Sequence, residues 1–232
     1  MSQARRDTPN ERLAPKAVVG RLSLYLRQLE LFERQGLTTV SSRRLGTVLG
    51  IGDAQVRKDL AFFGQFGYPG VGYRIEELGQ ALRRVMGIDH EWPLALVGLG
   101  NLGRALLKYR GFRARGFRIA ALLDNDPKKI GHSHSGLVIE PIDACARVVA
   151  EHHIALAVLS VPGEAAQATA DLLIAAGIVG ILNFAPVTLT MPPHVNIVAV
   201  DLSIQLENLA YLVANTEPKP SATRLPEQAE GG

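Results

Sequence analysis

The chain has 232 residues, 47% of them apolar, with one cysteine and a formal net charge of +3. This composition predicts a globular protein with a sizeable core, and the single cysteine excludes an internal disulfide. No run of about 18 apolar residues occurs, which excludes a membrane-spanning helix. The polar N-terminal residues lack the apolar centre of a signal peptide, so a cytoplasmic location is expected.

The basic residues are concentrated toward the N-terminus. Residues 1–86 contain 14 Lys and Arg against 8 Asp and Glu, a net charge of +6, whereas residues 87–232 contain 11 against 14, a net charge of −3. A basic segment joined to an acidic one favours contact of the first with a polyanion. A solvated basic face would give the same balance, so the motifs must decide between the two.

The first third of the chain predicts three helices and a ribbon. Apolar residues at helical spacing predict a long amphipathic helix between Pro15 and Gly36. A short helix follows, with Ser41 or Ser42 as its N-cap, and ends at Gly50. Asp53 is then the expected N-cap of a third helix. Two short helices joined by a glycine turn are typical of a helix-turn-helix, whose second helix enters the major groove of DNA.

The third helix and the glycine-rich segment after it contain the candidate DNA contacts. One face of this helix is apolar and must pack inward, so its polar residues lie on the opposite face, where they can reach base edges, while the basic residues before it can hold phosphates. The segment GQFGYPGVGYRI fits a two-stranded wing whose tip enters a minor groove. A helix and hairpin that only pack on a neighbour remain the alternative. The residues expected at base edges are Gln55, Arg57 and Lys58, beside the small Ala54 and Ala61; those at phosphates are Ser41, Ser42, Arg43 and Arg44; and those of the wing are Tyr68, Gly70, Tyr73 and Arg74.

A nucleotide-binding motif follows the predicted strand PLALV. Gly98, Gly100 and Gly103 have G-x-G-x-x-G spacing and open a helix that begins at about Asn101. A second predicted strand ends at Asp124, about 20 residues on, where a carboxylate binds the ribose hydroxyls. Because a carboxylate there repels a 2′-phosphate, NAD(H) is favoured over NADP(H). The alternative is that Asp124 is an ordinary loop residue.

The rest of the chain alternates helices with apolar strands, which predicts a doubly wound parallel sheet. Ligands bind beyond the carboxyl ends of such strands, so those ends contain pocket candidates. A last helix has an apolar stripe too broad for a free surface and is expected to pack on another subunit or on the first domain. The expected domains are a winged helix (1–86), a Rossmann domain (87–202), a C-terminal helix (203–215) and a disordered tail (216–232). The pocket candidates are Ser160, Val161, Pro162, Asn183, Phe184 and Asp201.

No convincing catalytic residue accompanies this motif. A dehydrogenase needs an acid or base beside the nicotinamide, and the histidines lie in predicted loops or at helix ends. A metal site formed by the HSHS or HH pairs is possible, but solvated loop histidines are commoner. The alternative to a DNA-binding protein is an NAD-dependent oxidoreductase or a CoA-binding Rossmann protein, whose first module serves only for partner contact.

From about Pro15 to Val213 the chain resembles the Rex family of bacterial redox-sensing transcriptional repressors. The similarity rests on the combination of SRRLGTVLGIGDAQVRKDLAFFGQFGYPGVGY, VGLGNLGRALLKYRGF, LSVP, ILNFAPVTL and VDLSIQLENLAYLV. The resemblance implies a homodimer with a winged helix and a Rossmann domain in each subunit, joined partly by a C-terminal helix that packs into the partner. It also implies binding to a pseudo-palindromic operator on double-stranded DNA, release by NADH, and competition from NAD+.

The resemblance also assigns roles to individual residues. It implies a switch in which Asp201 exchanges partners between Tyr109, near the nicotinamide, and Arg27 on the first helix. The loop HSHSG after Asp124 departs from the family pattern and leaves the adenine-side contacts open. The expected cofactor contacts are Gly98, Gly100, Asn101, Leu102, Gly103, Tyr109, Asp124, Ser160, Val161, Pro162, Asn183 and Phe184; no catalytic residue and no metal ligand is expected.

Overall fold

The computed structural model describes residues 14–216. Apart from Thr216, the tail expected to be disordered lies outside the described residues, as do the first 13 residues. The chain divides into two compact units. The first contains the residues up to Trp92 together with Arg110–Arg118, and the second contains Pro93–Tyr109 together with the residues from Ile119 onward. Within 14–216, every helix is too short or too polar to cross a membrane.

The first unit is a winged helix, as the sequence predicts. Its helices are α1 (Lys16–Arg34), α2 (Ser42–Leu49), α3 (Asp53–Ala61) and α4 (Ile75–Val85), and its strands are β1 (Thr39–Val40), β2 (Gly67–Tyr68) and β3 (Gly72–Arg74). The three strands pair antiparallel in the order β1-β3-β2. The hairpin β2-β3 is the predicted wing. Strand β1, which lies just before the helix-turn-helix, pairs with β3 of this hairpin.

The turn between α2 and α3 differs from the prediction at one residue. Gly50 ends α2 in the left-handed conformation, with φ of 66°, which glycine adopts without strain. The N-cap of α3 is Gly52, whereas Asp53 is the first helical residue, so the prediction of Asp53 as N-cap is wrong. At this position the carboxylate still favours the helix N-terminus electrostatically, and it accepts a hydrogen bond from Arg57, one turn later, at 2.6 Å.

The apolar face of α1 supplies much of the core of the first unit. Its residues recur every three or four positions, so they line one side of the helix and pack against α2, α3 and α4. Burying them removes apolar surface from water, which is the main force that holds the unit together. The largest fully buried side chains of this core are Leu22, Tyr25, Leu26, Leu29, Leu45, Leu60, Leu78 and Leu82.

The second unit is built on a seven-stranded sheet in the order β10-β9-β8-β4-β5-β7-β6. The neighbours β4-β8, β8-β9, β9-β10 and β5-β7 are parallel, and the edge pair β6-β7 is antiparallel. The strands are β4 (Trp92–Val97), β5 (Phe117–Asp124), β6 (Ser133–His134), β7 (Leu137–Pro141), β8 (Leu156–Leu159), β9 (Gly180–Asn183) and β10 (Asn196–Ala199). The helices of this unit are α5 (Asn101–Lys108), α7 (Cys145–Glu151), α8 (Gly163–Ala175) and α9 (Leu202–Ala214). The short helix α6 (Arg110–Ala114) follows α5 along the chain and belongs to the first unit.

The sheet confirms the doubly wound prediction and adds two features to it. Strand order reverses between β4 and β8, so the carboxyl ends of these two strands form the crevice where such folds bind ligands. The HSHS segment, expected to be a loop, instead contributes β6 to a hairpin with β7. The edge strand β6 has only two residues and its neighbour β7 has five, so their apolar alternation is too brief to be recognised in the sequence. In addition, the helix after the glycine motif ends at Lys108, and α6 begins at Arg110.

Candidate functional site

The glycine motif forms a tight turn between β4 and α5. Gly98 has φ of 87°, and a Cβ atom there would lie 2.6 Å from the carbonyl oxygen of Ser160. A Cβ atom on Gly103 would overlap the carbonyl oxygen of Gly98. Gly100 differs from both, because it is the N-cap of α5 and a Cβ atom there would meet open space. Two glycines are therefore required by packing, and Gly100 leaves room for a ligand.

The N-terminus of α5 fits a pyrophosphate. No side chain caps it, so the first-turn N–H groups, which have no partner within a helix, are available to an anion. Asn101 and Leu102, both predicted contacts, are exposed in this turn. The Asn101 side chain accepts a hydrogen bond from Arg104 at 2.9 Å. The open cradle at Gly100 and the uncapped helix together match the phosphate site of a dinucleotide.

Ser160, at the end of β8, supports the glycine turn. Its Oγ lies 3.0 Å from the carbonyl oxygen of Val97 and 2.8 Å from that of Gly98, and its amide donates to Val97 at 2.8 Å. These contacts join the carboxyl ends of β4 and β8 at the point where strand order reverses. The hydroxyl of Ser160, a predicted cofactor contact, is therefore directed at the protein backbone.

Asp124 lies at the end of β5 and is 4% exposed. It accepts hydrogen bonds from the amides of Leu99 at 2.7 Å and Asp126 at 2.9 Å and from Lys129 at 3.0 Å. Burial by itself opposes ionisation, but these hydrogen bonds outweigh it, so the pKa of Asp124 lies below its ordinary value. The carboxylate is therefore ionised, and through Leu99 it also holds the glycine turn.

A cleft of about 220 Å³ lies beside this carboxylate. It opens between the glycine turn and the start of α8, and most of its lining is apolar, as expected for a site that takes a flat aromatic ring. Val161 and Pro162, two predicted cofactor contacts, belong to its wall. The lining residues are Val97, Gly98, Asp124, Asn125, Ile142, Val161, Pro162, Ala165, Ala168, Thr169 and Leu172.

Asn183 organises a loop. The side chain is 1% exposed, donates to the carbonyl oxygens of Ala185 and Val187 at 3.2 and 3.0 Å, and accepts from the amide of Ala185 at 2.9 Å. Both hydrogens of its amide group are therefore engaged in the turn that follows β9, and the cofactor contact of Asn183 stays a prediction. The next residue, Phe184, is half-buried at the same strand end.

The switch residues lie in different parts of the chain. Tyr109 is the C-cap of α5 and is 59% exposed, and Arg27 is exposed on α1. Asp201 is the N-cap of α9 and accepts a hydrogen bond from the amide of Ser203 at 2.8 Å. It also lines a cleft of about 290 Å³ at the carboxyl ends of β9 and β10. All three belong to the surface of their own unit.

The polar residues of α3 are not equally directed outward. Lys58 is exposed. Arg57 is exposed and donates to Asp53 at 2.6 Å and to the Ser42 hydroxyl at 3.1 Å. Gln55 is half-buried, and its Nε2 donates to Oδ1 of Asp59 at 2.7 Å. Of the three predicted base contacts, Gln55 is thus the one anchored to the interior of the protein.

Asp59 is a functional-site residue that sequence reasoning missed. It is 2% exposed and accepts hydrogen bonds from Arg21, Tyr25 and Gln55. The Arg21 guanidinium holds the pKa of Asp59 below its ordinary value, against the effect of burial. Burial, aided by the bond to Asp59, raises the pKa of Tyr25. In the sequence, Asp59 could have been recognised as a carboxylate on the apolar side of a helix, where charge is rare unless paired.

The residues before α3 combine capping with charge. The Ser41 hydroxyl accepts from the amide of Arg44 at 3.1 Å and so caps α2. The guanidinium of Arg44 lies 5.1 Å from the centre of the Phe32 ring, and Arg43 is exposed. Arginines at the start of the helix-turn-helix, next to an amphipathic helix end, are well placed for phosphate contacts.

The wing has a polar surface and an apolar root. Tyr68 and Arg74 both hydrogen-bond to Glu77 at 2.9 Å, and the Arg74 guanidinium lies 4.9 Å from the Tyr68 ring centre. Gly70, at the tip, has φ of 76°. Tyr73 is buried in the core of the first unit, and its contact with DNA stays a prediction. It faces inward because it alternates with Gly72 and Arg74 on β3.

The histidines form no metal centre in the described part of the chain. Within residues 14–216, no group of three or more His, Cys, Asp or Glu side chains is arranged to hold a metal ion. His134 lies in β6 and is exposed, and His90 contacts Asp89 and the Trp92 ring. Cys145 is buried, and burial raises the pKa of its thiol.

Comparisons with known proteins match the DNA-binding segment and the nucleotide-binding segment separately. Residues 14–61 match a family model for a DNA-binding protein N-terminus, and residues 89–187 match the CoA binding domain family. The chain is 45% identical over 199 residues to the redox-sensing transcriptional repressor Rex of Desulfitobacterium hafniense, covering 86% of this chain and 95% of that protein. It is 46% identical over 197 residues to Rex of Carboxydothermus hydrogenoformans, covering 85% and 95%.

Solved structures give the same result. The fold matches that of RSP in complex with β-NAD+ and operator DNA with a TM-score of 0.83 and 33% identity, covering 88% of this chain and 94% of that one. It matches RSP in complex with β-NADH with a TM-score of 0.79 and 32% identity, covering 88% and 95%. RSP is a Rex-family repressor. By identity over nearly its whole described length, this chain belongs to the Rex family of redox-sensing transcriptional repressors.

Proposed function

We propose that this protein is a cytoplasmic repressor that binds a pseudo-palindromic operator as a homodimer and leaves it when NADH binds. One observation supports this most directly: a single chain combines a winged helix-turn-helix with a nucleotide cradle that ends in a buried carboxylate. A protein that only binds a nucleotide does not need the first, and a constitutive repressor does not need the second. The relatives are named as repressors rather than as enzymes.

The cradle favours NAD(H). The N-terminus of α5 offers N–H groups to the pyrophosphate, and Gly100 leaves space for it. Asp124 is ionised and accepts hydrogen bonds from ribose hydroxyls, whereas a 2′-phosphate would place a second negative charge beside it. Lys129, which now occupies one oxygen of Asp124, has to yield that oxygen for both ribose hydroxyls to bind.

The exposed cations of the first unit support DNA binding. Arg43, Arg57 and Lys58 are exposed at the start of α2 and along α3, and RSP, which shares the fold, has been solved with operator DNA. We assign the phosphate contacts to the arginines of α2 and the base contacts to the polar side of α3. The wing adds Arg74, once it leaves Glu77, as a minor-groove contact.

Helix α9 supports a homodimer. Its leucines and Val213 are more than half exposed along the helix, and Leu202, Leu206, Leu209 and Val213 recur at the spacing that lines up one helix face. An apolar face of this size on a single chain marks an interaction site. A second copy of the chain is the proposed partner, because a palindromic operator is bound by a two-fold symmetric protein.

The proposed switch is an equilibrium between two arrangements of the dimer. Recognition helices reach both half-sites only when they lie one helical turn of DNA, or a multiple of it, apart. Moving such an equilibrium almost completely requires about 5.5 kcal/mol of differential affinity. NADH and NAD+ differ in the charge of the nicotinamide ring, and an apolar pocket accepts the neutral ring more readily. Arg27, Tyr109 and Asp201 are the proposed residues that exchange partners.

The test is a DNA-binding titration. A duplex selected from random DNA by the wild-type protein is labelled and titrated at fixed salt, because affinity for DNA depends steeply on salt. NADH and NAD+ are then added separately. Release by NADH alone is the expected result. DNA binding that ignores both nucleotides would remove the sensing role, and failure to select any sequence would remove the repressor role.

A further inference from the structure

The contact between Gln55 and Asp59 bears on which base this protein recognises, an inference that rests on the DNA-binding role proposed above. Gln55 is the third residue of α3, near the N-terminal end that enters the major groove in helix-turn-helix proteins. Its Nε2 donates to Oδ1 of Asp59 at 2.7 Å. A glutamine amide can normally rotate to exchange its donor and acceptor, so what it contacts on the protein side decides what it presents to DNA.

Asp59 allows only one orientation of that amide. The Asp59 carboxylate is an acceptor on both oxygens and is held by two nitrogens of Arg21, at 2.5 and 2.8 Å, and by the Tyr25 hydroxyl at 2.8 Å. With Gln55, each oxygen accepts two hydrogen bonds, which fills the capacity of a carboxylate. If the Gln55 amide were reversed, its Oε1 would face an ionised oxygen and one acceptor site of a buried carboxylate would be lost.

The other side of the Gln55 amide faces outward. Within residues 14–216, no buried polar side-chain atom lacks a partner, and Oε1 of Gln55 has no hydrogen bond inside the protein, so it lies at the surface. Gln55 therefore offers an acceptor, Oε1, and the second hydrogen of Nε2 as a donor, in fixed order.

We propose that Asp59 fixes Gln55 as a reader of adenine. In the major groove adenine presents an N6 amino donor beside the N7 acceptor, which complements the Oε1 and Nε2 of Gln55. Guanine presents O6 and N7, two acceptors, so O6 would face Oε1. A free amide can partly avoid this conflict by rotating, whereas the one held by Asp59 cannot. Gln55 is the specificity-determining residue, and Asp59 is a positioning residue.

The experiment compares operator duplexes at fixed salt. Each A·T pair of the selected half-site is replaced in turn by G·C, and dissociation constants are measured for the wild-type protein and for Gln55→Ala. At one position the wild type is expected to prefer adenine by about 5- to 150-fold, the range for a good bidentate contact, and Gln55→Ala is expected to lose that preference. Arg43→Ala, the control, should weaken binding to all duplexes alike.

Two further measurements test the orientation. In wild-type protein, 7-deazaadenine, which lacks N7, and purine, which lacks the N6 amino group, should each weaken binding at that same position, and this needs no variant. Tyr25→Phe removes one donor from Asp59 but keeps its bond to Gln55, so the adenine preference should remain. Asp59→Asn can accept or donate, so the preference should fall toward unity at a temperature where circular dichroism shows the variant folded.

The outcomes separate this inference from the proposed function. If the wild type selects no sequence, both fail. In a second case, the wild type binds an operator specifically while Gln55→Ala keeps the same preference at every position, or while the base analogues have no effect at the position assigned to Gln55. Either result would show that the adenine assignment is wrong and would leave the proposed repressor function standing. If Gln55→Ala loses the preference but Asp59→Asn keeps it, Gln55 reads the base without help from Asp59.

Discussion

Arg21 on α1 and Asp59 on α3 form a bidentate ion pair, with Nε 2.5 Å from Oδ2 and Nη2 2.8 Å from Oδ1. Asp59 is buried, whereas the Arg21 side chain is 27% exposed. The pair holds the recognition helix to the longest helix of its unit. A buried charge whose partner is altered is costly, so this contact matters for stability as well as for DNA reading.

The first prediction concerns this pair. Asp59→Asn should lower the free energy of unfolding of the first unit by about 3 kcal/mol, the low end of the range for a broken buried pair, because Arg21 keeps some contact with water. Asp53→Asn alters an exposed ion pair on the same helix and should change stability little. Urea denaturation at pH 7 measures both. Equal effects of the two substitutions would contradict the role assigned to Asp59.

The stability difference between wild type and Asp59→Asn is also expected to depend on pH. The folded pKa of Asp59 is lowered, so its contribution to stability is fully present above the unfolded pKa of about 3.9 and is lost as the pH falls through the folded value. Asp59→Asn has no such titration. The stability difference between wild type and Asp59→Asn should therefore narrow as the pH falls below about 4, in denaturation curves measured in parallel.

The second prediction separates two glycines of the nucleotide cradle. Gly98→Ala should destabilise the protein by more than about 2 kcal/mol, because its φ is 87° and a Cβ atom would lie 2.6 Å from the Ser160 carbonyl oxygen. Gly100→Ala has space for the methyl group and should keep its stability, but it should weaken NADH binding about tenfold or more. Thermal unfolding and NADH titration give the two readouts. Normal NADH binding by Gly100→Ala would place the pyrophosphate elsewhere.

The third prediction tests the ribose carboxylate. Asp124→Ala should weaken NADH binding by about 10- to 100-fold, the loss expected when hydrogen bonds to a charged group are removed. Part of this loss comes from the turn, since Asp124 accepts from the amide of Leu99. Asp126→Ala is the matched control, because Asp126 contacts Asp124 through its own amide, which the substitution keeps. Calorimetric titration with NADH would compare the two variants.

The fourth prediction tests the role of α9. Leu206 is 67% exposed, and Leu206→Glu places a charge in the apolar stripe, so it should shift the protein toward monomers in sedimentation experiments and weaken operator binding. Glu207→Lys changes the charge at a position of the same helix that is already polar, so it should disturb the dimer less than Leu206→Glu. A Leu206→Glu protein that sediments like the wild type would show that α9 does not join the subunits.

The fifth prediction concerns the switch. Asp201→Ala should leave the domains folded, at a cost of about 1 kcal/mol for the lost N-cap of α9, while weakening the coupling between NADH and DNA. Asn215→Ala removes a side-chain contact at the other end of α9 and serves as the control. The readout is the ratio of operator affinities with and without NADH. If Asp201→Ala keeps the wild-type ratio, Asp201 has no part in the switch.

Much of this architecture could be predicted because it is encoded locally. Apolar residues at a period of 3.6 predict the helices, and Gly98, Gly100 and Gly103 have the spacing that a strand-turn-helix needs around a pyrophosphate. The short strands β6 and β7 were missed because a few residues carry too little pattern. The exact N-cap of α3 was missed for a similar reason, since Gly52 and Asp53 both suit a helix start.

The functions of individual polar side chains depended on the tertiary structure. Tyr73 and Asn183 have residue types suited to ligand contact, but the first is buried in a core and the second is committed to its own loop. Two of the partners of Asp59, Arg21 and Tyr25, come from α1, and its pairing with Arg21 spans 38 positions of the chain. Asp59 lies four residues after Gln55, a spacing that allows their contact, but only the ion pair with Arg21 on α1 shows that this carboxylate is ionised and fixed.

By itself, the sequence determined the two kinds of domain, the nucleotide cradle and the basic recognition helix, because periodicity, glycine spacing and residue chemistry act over a few neighbouring residues. Only the tertiary structure decided which polar groups face a ligand and which face the protein. A hydrogen bond depends on the distance and direction between two groups, and folding sets both for residues that are far apart along the chain.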